Sequence, residues 1–555
     1  MRTNTCDKGI KVVVIIIVQI IMCILAGTQK KSFFCDEIYS YGLANSENYA
    51  FINPETAKQY SDTGWVDHSY FENYIQVSEE TPFSFNAAFE NQKKDVHPPL
   101  YYCILHIFSL LNNGIFSKWT GLALNLAILV LIDLLMLYIS NYLLKNIRMS
   151  LIVLLFWTFS GAGLSNILLI RMYMMLTCEM LAYVAIHIRI LKKRKIEIKE
   201  ILGILLLVAC GGLTHYYFYL FAFCFSAPIC IYLLLKKEMK NMFLYGFNIC
   251  AGGVVALCIF PQTFIHIFCG YRGTEVIGNL AHGRDGGVIK AYFELINNSL
   301  FAGKFKGCLI LVVLLSLAGI ITKYFVNIEW EFNKETKSVT LRFIRKQNRG
   351  YGEIQFILKD ELKVGVLLFL SYSLFALVAV RGSEIVHNRY LYPIYPIVAL
   401  VVILIMSKLL GIFMKSVSVR IVLLSVIVFC LCIGSLLKYG VDFLYTDYDV
   451  ILQQAQEIKG TDCLLYYGDS WLDVYTAFPL RLLHDETYFM RSGEMDSIKE
   501  IMSKRDTENT LVVCLPLVYS EEDTRNILDK IISQTGSKEY RMIYKYEYLQ
   551  EWIID

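Results

Sequence analysis

Apolar runs long enough to cross a lipid bilayer recur along most of this chain, and no other feature restricts its fold as tightly. They include Lys11 to Thr28, Thr120 to Leu144, Ile201 to Cys210, Met242 to Phe260, Cys308 to Ile321, Val364 to Val380 and Ile421 to Leu437. With 56% hydrophobic and 18% charged residues in 555, a soluble chain is excluded, and the fold class is a polytopic α-helical membrane protein. The net charge of +3 is small for this length, and the basic residues gather beside apolar ends. That is the positive-inside bias, and it argues against a nucleic-acid partner. Arg2, Lys8 and Lys11 precede the first apolar core, and no small-x-small cleavage pattern follows Leu25-Ala26-Gly27-Thr28, so an uncleaved first span is expected. Most of the 16 cysteines fall in or beside apolar runs, where thiols act as small hydrophobes, and no CxxC site or disulfide framework is evident. One sequon at Asn297 to Ser299 favours a bacterial plasma membrane over an endoplasmic reticulum address.

The basic flanks set the expected orientation. Arg2 to Lys11, Lys192 to Lys199, Lys236 to Lys240, Lys323 to Lys363 and Lys408 to Arg420 go inside. Residues 29–97 then form an outer loop too long for a mere connector, and the loops around Thr214, Arg272 to Arg284 and Arg381 to Tyr390 share its side. Four apolar segments (98–113, 119–144, 150–166 and 171–190) lie between this loop and the inner Lys192, where an odd number must cross. A bent or re-entrant third segment, ending in Ser160-Gly161-Ala162-Gly163, resolves the parity and places Arg171 near the outer face. The expected total is about eleven to thirteen spans. Alternation at Ile328 to Phe332 and Val339 to Phe343 predicts a hairpin within a cytoplasmic loop, 327–363. Residues 1–437 thus read as the transmembrane domain. Residues 438–555 read as a small extracytoplasmic α/β domain, with strands at Cys463 to Gly468, Thr487 to Met490, Thr510 to Pro516 and Tyr540 to Tyr546.

Two constellations bracket the outer loop. Phe33-Phe34-Cys35-Asp36-Glu37-Ile38-Tyr39-Ser40 sets adjacent carboxylates just after the first span, where water meets lipid. Asp95-Val96-His97-Pro98-Pro99-Leu100-Tyr101-Tyr102 closes the loop, its prolines forcing an extended entry that holds Asp95 and His97 at the membrane surface. Taken singly, the first is an ordinary acidic loop and the second an ordinary helix start.

Together, and followed in order by Arg171-Met172-Tyr173, Thr214-His215-Tyr216-Tyr217, Arg389-Tyr390-Leu391-Tyr392-Pro393 and Tyr395-Pro396, they resemble the GT-C superfamily of membrane glycosyltransferases. The similarity is to the branch holding protein O-mannosyltransferases and lipid A aminoarabinose transferases, and it spans roughly the first 400 residues. The resemblance implies a polyprenyl-phosphate-sugar donor, Asp36 as catalytic carboxylate, Glu37 as a supporting or alternative acid, and Asp95 and His97 on the acceptor side. Asp-Val-His before the prolines is similar to the mannosyltransferases and implies a neutral hexose. Nothing in the C-terminal stretch ties it to those enzymes, so a protein acceptor does not follow.

The chemistry of the residues agrees with this reading. Displacing a phosphate from an anomeric carbon needs a base for the acceptor hydroxyl, which Asp36 supplies, and donors for the leaving phosphate, for which Arg171 and Arg389 are suited. Each arginine adjoins an apolar run and so needs a fixed anionic partner, either a protein carboxylate or a lipid phosphate. Tyr173, His215 and Tyr390 join the donor side; His215, Tyr216 and Tyr217 also fit a packed aromatic belt. Arg272, His282, Arg284 and Asp285 lie in a glycine-rich outer loop that reads equally as a cover over the donor and as a solvated loop. No cofactor is required. A divalent metal is compatible with the Asp36–Glu37 pair but not demanded, since arginines can neutralise one phosphate and no His or Cys ligand spacing occurs. The acceptor is a glycan, lipid or protein. Two rival readings are a transporter or flippase of lipid-linked sugars and a ligase or polymerase using diphosphate-linked oligosaccharides. The first should show mid-span ionisable groups and a repeat, whereas here the acids sit at loop edges and no repeat is seen.

Overall fold

The computed structural model describes residues 2–80, 82–193, 197–283, 286–324, 326–333, 338–345, 360–467, 472–505 and 509–555. Helix α1 (Arg2–Gln29) leads into a stretch of short elements: α2 (Cys35–Asn45), α3 (Pro54–Tyr60), strand β1 (Trp65–Asp67), α4 (His68–Ile75) and α5 (Phe85–Lys94). The bundle continues with α6 (Leu100–Leu111), α7 (Lys118–Leu144), α8 (Ile147–Thr158), α9 (Gly161–Leu168), α10 (Tyr173–Lys193), α11 (Ile198–Thr214), α12 (Tyr217–Leu235) and α13 (Met239–Ile259). It closes with α14 (Gln262–Phe268), α15 (Tyr271–His282), α16 (Gly286–Phe301), α17 (Phe305–Tyr324), α18 (Asp360–Gly382), α19 (Tyr395–Phe413) and α20 (Val417–Tyr439). The chain is an integral, multi-pass membrane protein. Among the described residues eight helices are long and apolar enough to cross, or ten when each of two bent pairs makes one span.

Two further apolar helices fall outside that count on length. Segment 98–113 forms only the 12-residue α6, about 18 Å long at 1.5 Å per residue, against a hydrocarbon core of roughly 30 Å. Helix α11 has 17 residues and opens with Lys199 and Glu200 in its first turn. The irregular third segment is present as α8 and α9, which meet at 65°. Gly163 permits the bend, because a Cβ there would lie 1.9 Å from the Trp157 carbonyl oxygen, and the Ser160 hydroxyl caps α9 by accepting from Gly163 N at 3.0 Å. The last carbonyls of α9, freed where the helix stops, are met by Asn125 of α7, whose amide donates to Ile167 O at 2.9 Å and Leu169 O at 2.8 Å. A break inside the bundle is thereby kept satisfied, and Arg171 follows it directly.

The predicted hairpin is present as β2 (Val326–Asn333) and β3 (Ser338–Arg345), antiparallel from Val326 opposite Arg345 to Asn333 opposite Ser338. Past α20 the chain builds β4 (Asp462–Tyr467), β5 (Glu486–Arg491), β6 (Leu511–Pro516), β7 (Tyr540–Tyr546) and β8 (Leu549–Ile554), with a helix at Glu521–Thr535. Four of these five strands match the sequence pattern; β8 has no counterpart in it. The sheet order is β1-β5-β4-β6-β8-β7, parallel through β5-β4-β6 and antiparallel toward both edges. Its first strand comes from loop 29–97. Loop 29–97 and the C-terminal domain are therefore one construction, joined by β1 on β5, by Trp65 Nε1 donating to Ile501 O at 3.0 Å, and by Ile52 N donating to the Tyr475 hydroxyl at 2.7 Å. Trp65 is 2% exposed, so Trp65→Ala should cost about 3–5 kcal/mol at this seam. Limited proteolysis of the full chain should then cleave between residues 46 and 94 well before the wild type; unchanged protection would mean that the seam does not hold the loop.

Candidate active site

The site grows from the start of α2. Asp36 and Glu37 occupy the first turn, where acidic groups complement the helix dipole. Helical spacing turns Asp36, Tyr39 and Ser40 to one face and Glu37 to another. Asp36 and Tyr39 line a cavity of about 680 Å³, whereas Glu37 is fully buried away from it. The Glu37 carboxylate receives Phe34 N at 2.8 Å, Ile170 N at 2.8 Å and the Lys30 ammonium at 2.9 Å. Glu37, expected from the sequence as a supporting or alternative acid, thus has its acceptor positions taken by the frame and faces away from the cavity. The two carboxylates therefore serve different environments. Among the described residues no cluster of three or more His, Cys, Asp or Glu has metal-binding geometry.

The other candidate residues, from five separate stretches of chain, line the same cavity: Asp36, Asp95, His97, Arg171, Tyr173, His215, Arg389 and Tyr390. Arg389, in a 3-10 turn at Asn388–Ile394 that leads into α19, donates from Nη1 to Asp36 Oδ2. Arg171 Nε lies 3.9 Å from the same oxygen, and its Nη1 donates to the Tyr102 hydroxyl at 3.0 Å and to Ser40 Oγ at 3.3 Å. His97 Nδ1 is 2.9 Å from Asp95 Oδ2, and the His97 and His215 rings are 5.8 Å apart. Tyr173 and Tyr390 flank the guanidinium side, Tyr217 joining Tyr390 at 6.2 Å between ring centroids.

Burial works to raise the Asp36 pKa, but the Arg389 guanidinium and then Arg171 outweigh it and hold the carboxyl below its ordinary range. Asp95 is held low in the same way, burial being overcome by His97. Burial pushes His97 down in spite of Asp95, and pushes His215 well down with His97 and the arginines adding to it. At neutral pH the residues expected from the sequence therefore bring two carboxylates, two guanidiniums and two neutral imidazoles to the cavity. With Nδ1–H of His97 directed at Asp95, its Nε2 is left as an acceptor.

Several lining residues were not found from sequence. Tyr39 stacks on Tyr475 of the C-terminal domain with centroids 4.0 Å apart, and Tyr467 of β4 also reaches the cavity. His266 follows α13 and pairs through Nδ1 with the Tyr216 hydroxyl at 2.7 Å. The supposed glycine-rich loop is helix α15, whose Tyr271, Arg272, Glu275 and Val276 wall the cavity, with Arg272 ion-paired to Glu384 and, at 3.1 Å, to Glu275. His282 is exposed and does not line it, and Arg284 and Asp285 lie outside the described residues.

Helices, sheet and site together define a polytopic membrane protein with a C-terminal mixed sheet and a charged cavity at the end of the bundle that carries loop 29–97. Its described structure is similar, over 98% of this chain and 97% of the other, to ArnT from Cupriavidus metallidurans bound to undecaprenyl phosphate, with a TM-score of 0.51 and 10% sequence identity. ArnT from the same organism in the apo state covers 93% of this chain and 95% of its own, with a TM-score of 0.45 and 10% identity. No protein-family model and no curated protein sequence matches the chain. The shared fold agrees with the one that the order of motifs implied.

Proposed function

We propose that this protein is a membrane glycosyltransferase that moves a hexose from a polyprenyl-phosphate donor to an acceptor hydroxyl, with Asp36 as general base and Arg171 and Arg389 as the phosphate clamp. The observation that carries it is the shared oxygen: one carboxylate of the cavity is held by the two guanidiniums that a phosphate would need. In the resting protein Asp36 is their anion. A donor phosphate, with more charge and more acceptor oxygens, competes for both forks and releases the carboxylate beside the anomeric carbon. Asp36 then takes the acceptor proton as the acceptor oxygen bonds to C1. The C1–O bond to phosphate breaks with its electron pair leaving on the polyprenyl phosphate, and the anomeric carbon inverts. The undecaprenyl phosphate named with the ArnT structure belongs to the class of lipid that this step releases. Basic flanks at Lys145, Lys192, Lys236 and Lys408 lie at the ends of α7, α10, α12 and α19 remote from the cavity, which supports an extracytoplasmic site.

A second assignment within this reading is favoured by the Asp95–His97 pair, in which a neutral, oriented imidazole serves as base and Asp36 only orders the arginines. The reaction class is tested with full-length protein in liposomes. Polyprenyl-monophosphate hexose should be consumed with release of polyprenyl phosphate, while diphosphate-linked oligosaccharide should not. Turnover of the diphosphate donor alone would point to a ligase, and movement of intact sugar lipid across the bilayer without transfer would point to a flippase.

A further inference from the structure

A second cavity lies at the far end of the bundle from Asp36. Helix α7 runs from Lys118, whose ammonium bonds the Lys30 carbonyl near the site, to Leu144, and at 1.5 Å per residue its 27 residues separate the two ends by about 40 Å. There, a pocket of about 440 Å³ opens between the α7–α8 turn and the α19–α20 turn, with Lys145, Lys408 and Arg420 on its walls. Lys145 is ion-paired with Glu361 at 3.0 Å, but among the described residues Lys408 and Arg420 have no carboxylate partner.

The Arg420 guanidinium is placed rather than free. Its Nη1 donates to the Ser407 carbonyl at 3.4 Å, and it rests against Gly411, where a Cβ would come within 2.9 Å of Nη1. Its Nε is buried with no hydrogen-bond partner. Arg420 as a whole is only part-buried and lines the pocket, so its outer guanidinium nitrogens can donate to a bound anion. Leu144, Met149, Ile412 and Val417 complete the walls, so cations and apolar side chains share one opening at the ends of membrane-crossing helices.

We infer that this pocket binds the phosphate of an anionic phospholipid from the surrounding leaflet, with Lys408 and Arg420 on the phosphate and the apolar wall against the first acyl carbons. A soluble anion has no use for that wall, and a basic pocket between helix ends at the inner surface suits an anionic headgroup. The assignment is independent of the reaction at Asp36.

The test is native mass spectrometry of the full chain released from detergent, titrated with phosphatidylglycerol, phosphatidylcholine or millimolar inorganic phosphate. Wild type should retain phosphatidylglycerol, and Lys408→Gln with Arg420→Gln together should weaken that retention about 30-fold, on the order of 1 kcal/mol for each charge. Phosphatidylcholine binding should hardly change, and Lys236→Gln with Lys237→Gln, on another basic flank, should leave phosphatidylglycerol as in wild type. Should the double variant not fold, Lys408→Gln alone, at an exposed position, must still weaken retention about five-fold. Equal retention in wild type and variant, equal loss in the control pair, or displacement of lipid by inorganic phosphate would each overturn the proposal.

Discussion

Asp36→Asn should lower hexose transfer from polyprenyl phosphate by roughly 10² to 10⁴-fold per folded protein, the range for loss of a positioned base, and it should also lower the melting temperature, because Arg389 and Arg171 lose their anion. Asparagine preserves the size of the side chain and still accepts a hydrogen bond from Arg389, so folding should survive. What it cannot do is take the acceptor proton. Surface glycans and glycolipids from cells carrying the variant should lack one sugar by mass spectrometry, and His97→Gln separates the two candidate bases. If Asp36 is the base, the histidine variant should keep most of its kcat; if His97→Gln is silenced and Asp36→Asn is not, the dyad is the base. The pH dependence sharpens this. Because Asp36 is held below its ordinary range, activity needing the free carboxylate is lost only as pH falls through that lowered value, so kcat/KM should stay level through the weakly acidic range. Arg389→Gln removes the largest opposing influence while burial remains. The Asp36 pKa then rises, and an acid limb should move up into the measurable range, together with a higher donor KM. A profile unmoved by Arg389→Gln would mean that the pair does not govern the reaction.

What could be read from the sequence, and what could not, divides along one line. Asp36, Asp95 and His97 are marked by their places at the two ends of one outer loop, and Arg171 and Arg389 by the cost of a cation beside apolar runs. These are local signals. Which of two adjacent acids faces the cavity is not local, since it depends on the rotation of α2, fixed by Lys30 and by Ile170 N, 133 residues away from Glu37. Strand β1 has three residues and no alternation to read, and only its pairing with Thr487 and its neighbours makes it a strand. Helix α15 is hidden by the glycines around it, from Gly270 to Gly287, although Val276, Ile277 and Leu280 keep a helical spacing. Tyr467 reaches the cavity and Tyr475 backs Tyr39 across the domain seam, and nothing in their own neighbourhood points to it.

The second large effect should come from Lys30 and Glu37, which no proton transfer uses. Both side chains are 0% exposed, 2.9 Å apart, and Lys30 also donates to the Phe443 carbonyl at 2.9 Å. Phe443 and Tyr445 are held at φ of 69° and 54°, a left-handed conformation that bulky side chains adopt only when their surroundings impose it. The Lys30 ammonium and Lys31 N, which donates to Leu444 O at 2.7 Å, are among those surroundings. Glu37 in turn ties the start of α2 to Ile170, the neighbour of Arg171, so one buried pair sets the separation between Asp36 and its phosphate clamp. Lys30→Met leaves a carboxylate buried without its cation and should cost about 3–5 kcal/mol, and Glu37→Gln should cost a comparable amount by stranding the ammonium. The double variant has no stranded charge. It should therefore melt well above the sum of the two losses, with a coupling of roughly 2–3 kcal/mol in the cycle, read from thermal unfolding of the full-length protein in detergent. Activity should recover less than stability does, because the amide introduced by Glu37→Gln has one acceptor oxygen for two backbone N–H groups and lets Ile170 and Arg171 shift. Additive losses would show that the pair is not coupled, and full recovery of transfer alongside stability would show that Glu37 does not position Arg171.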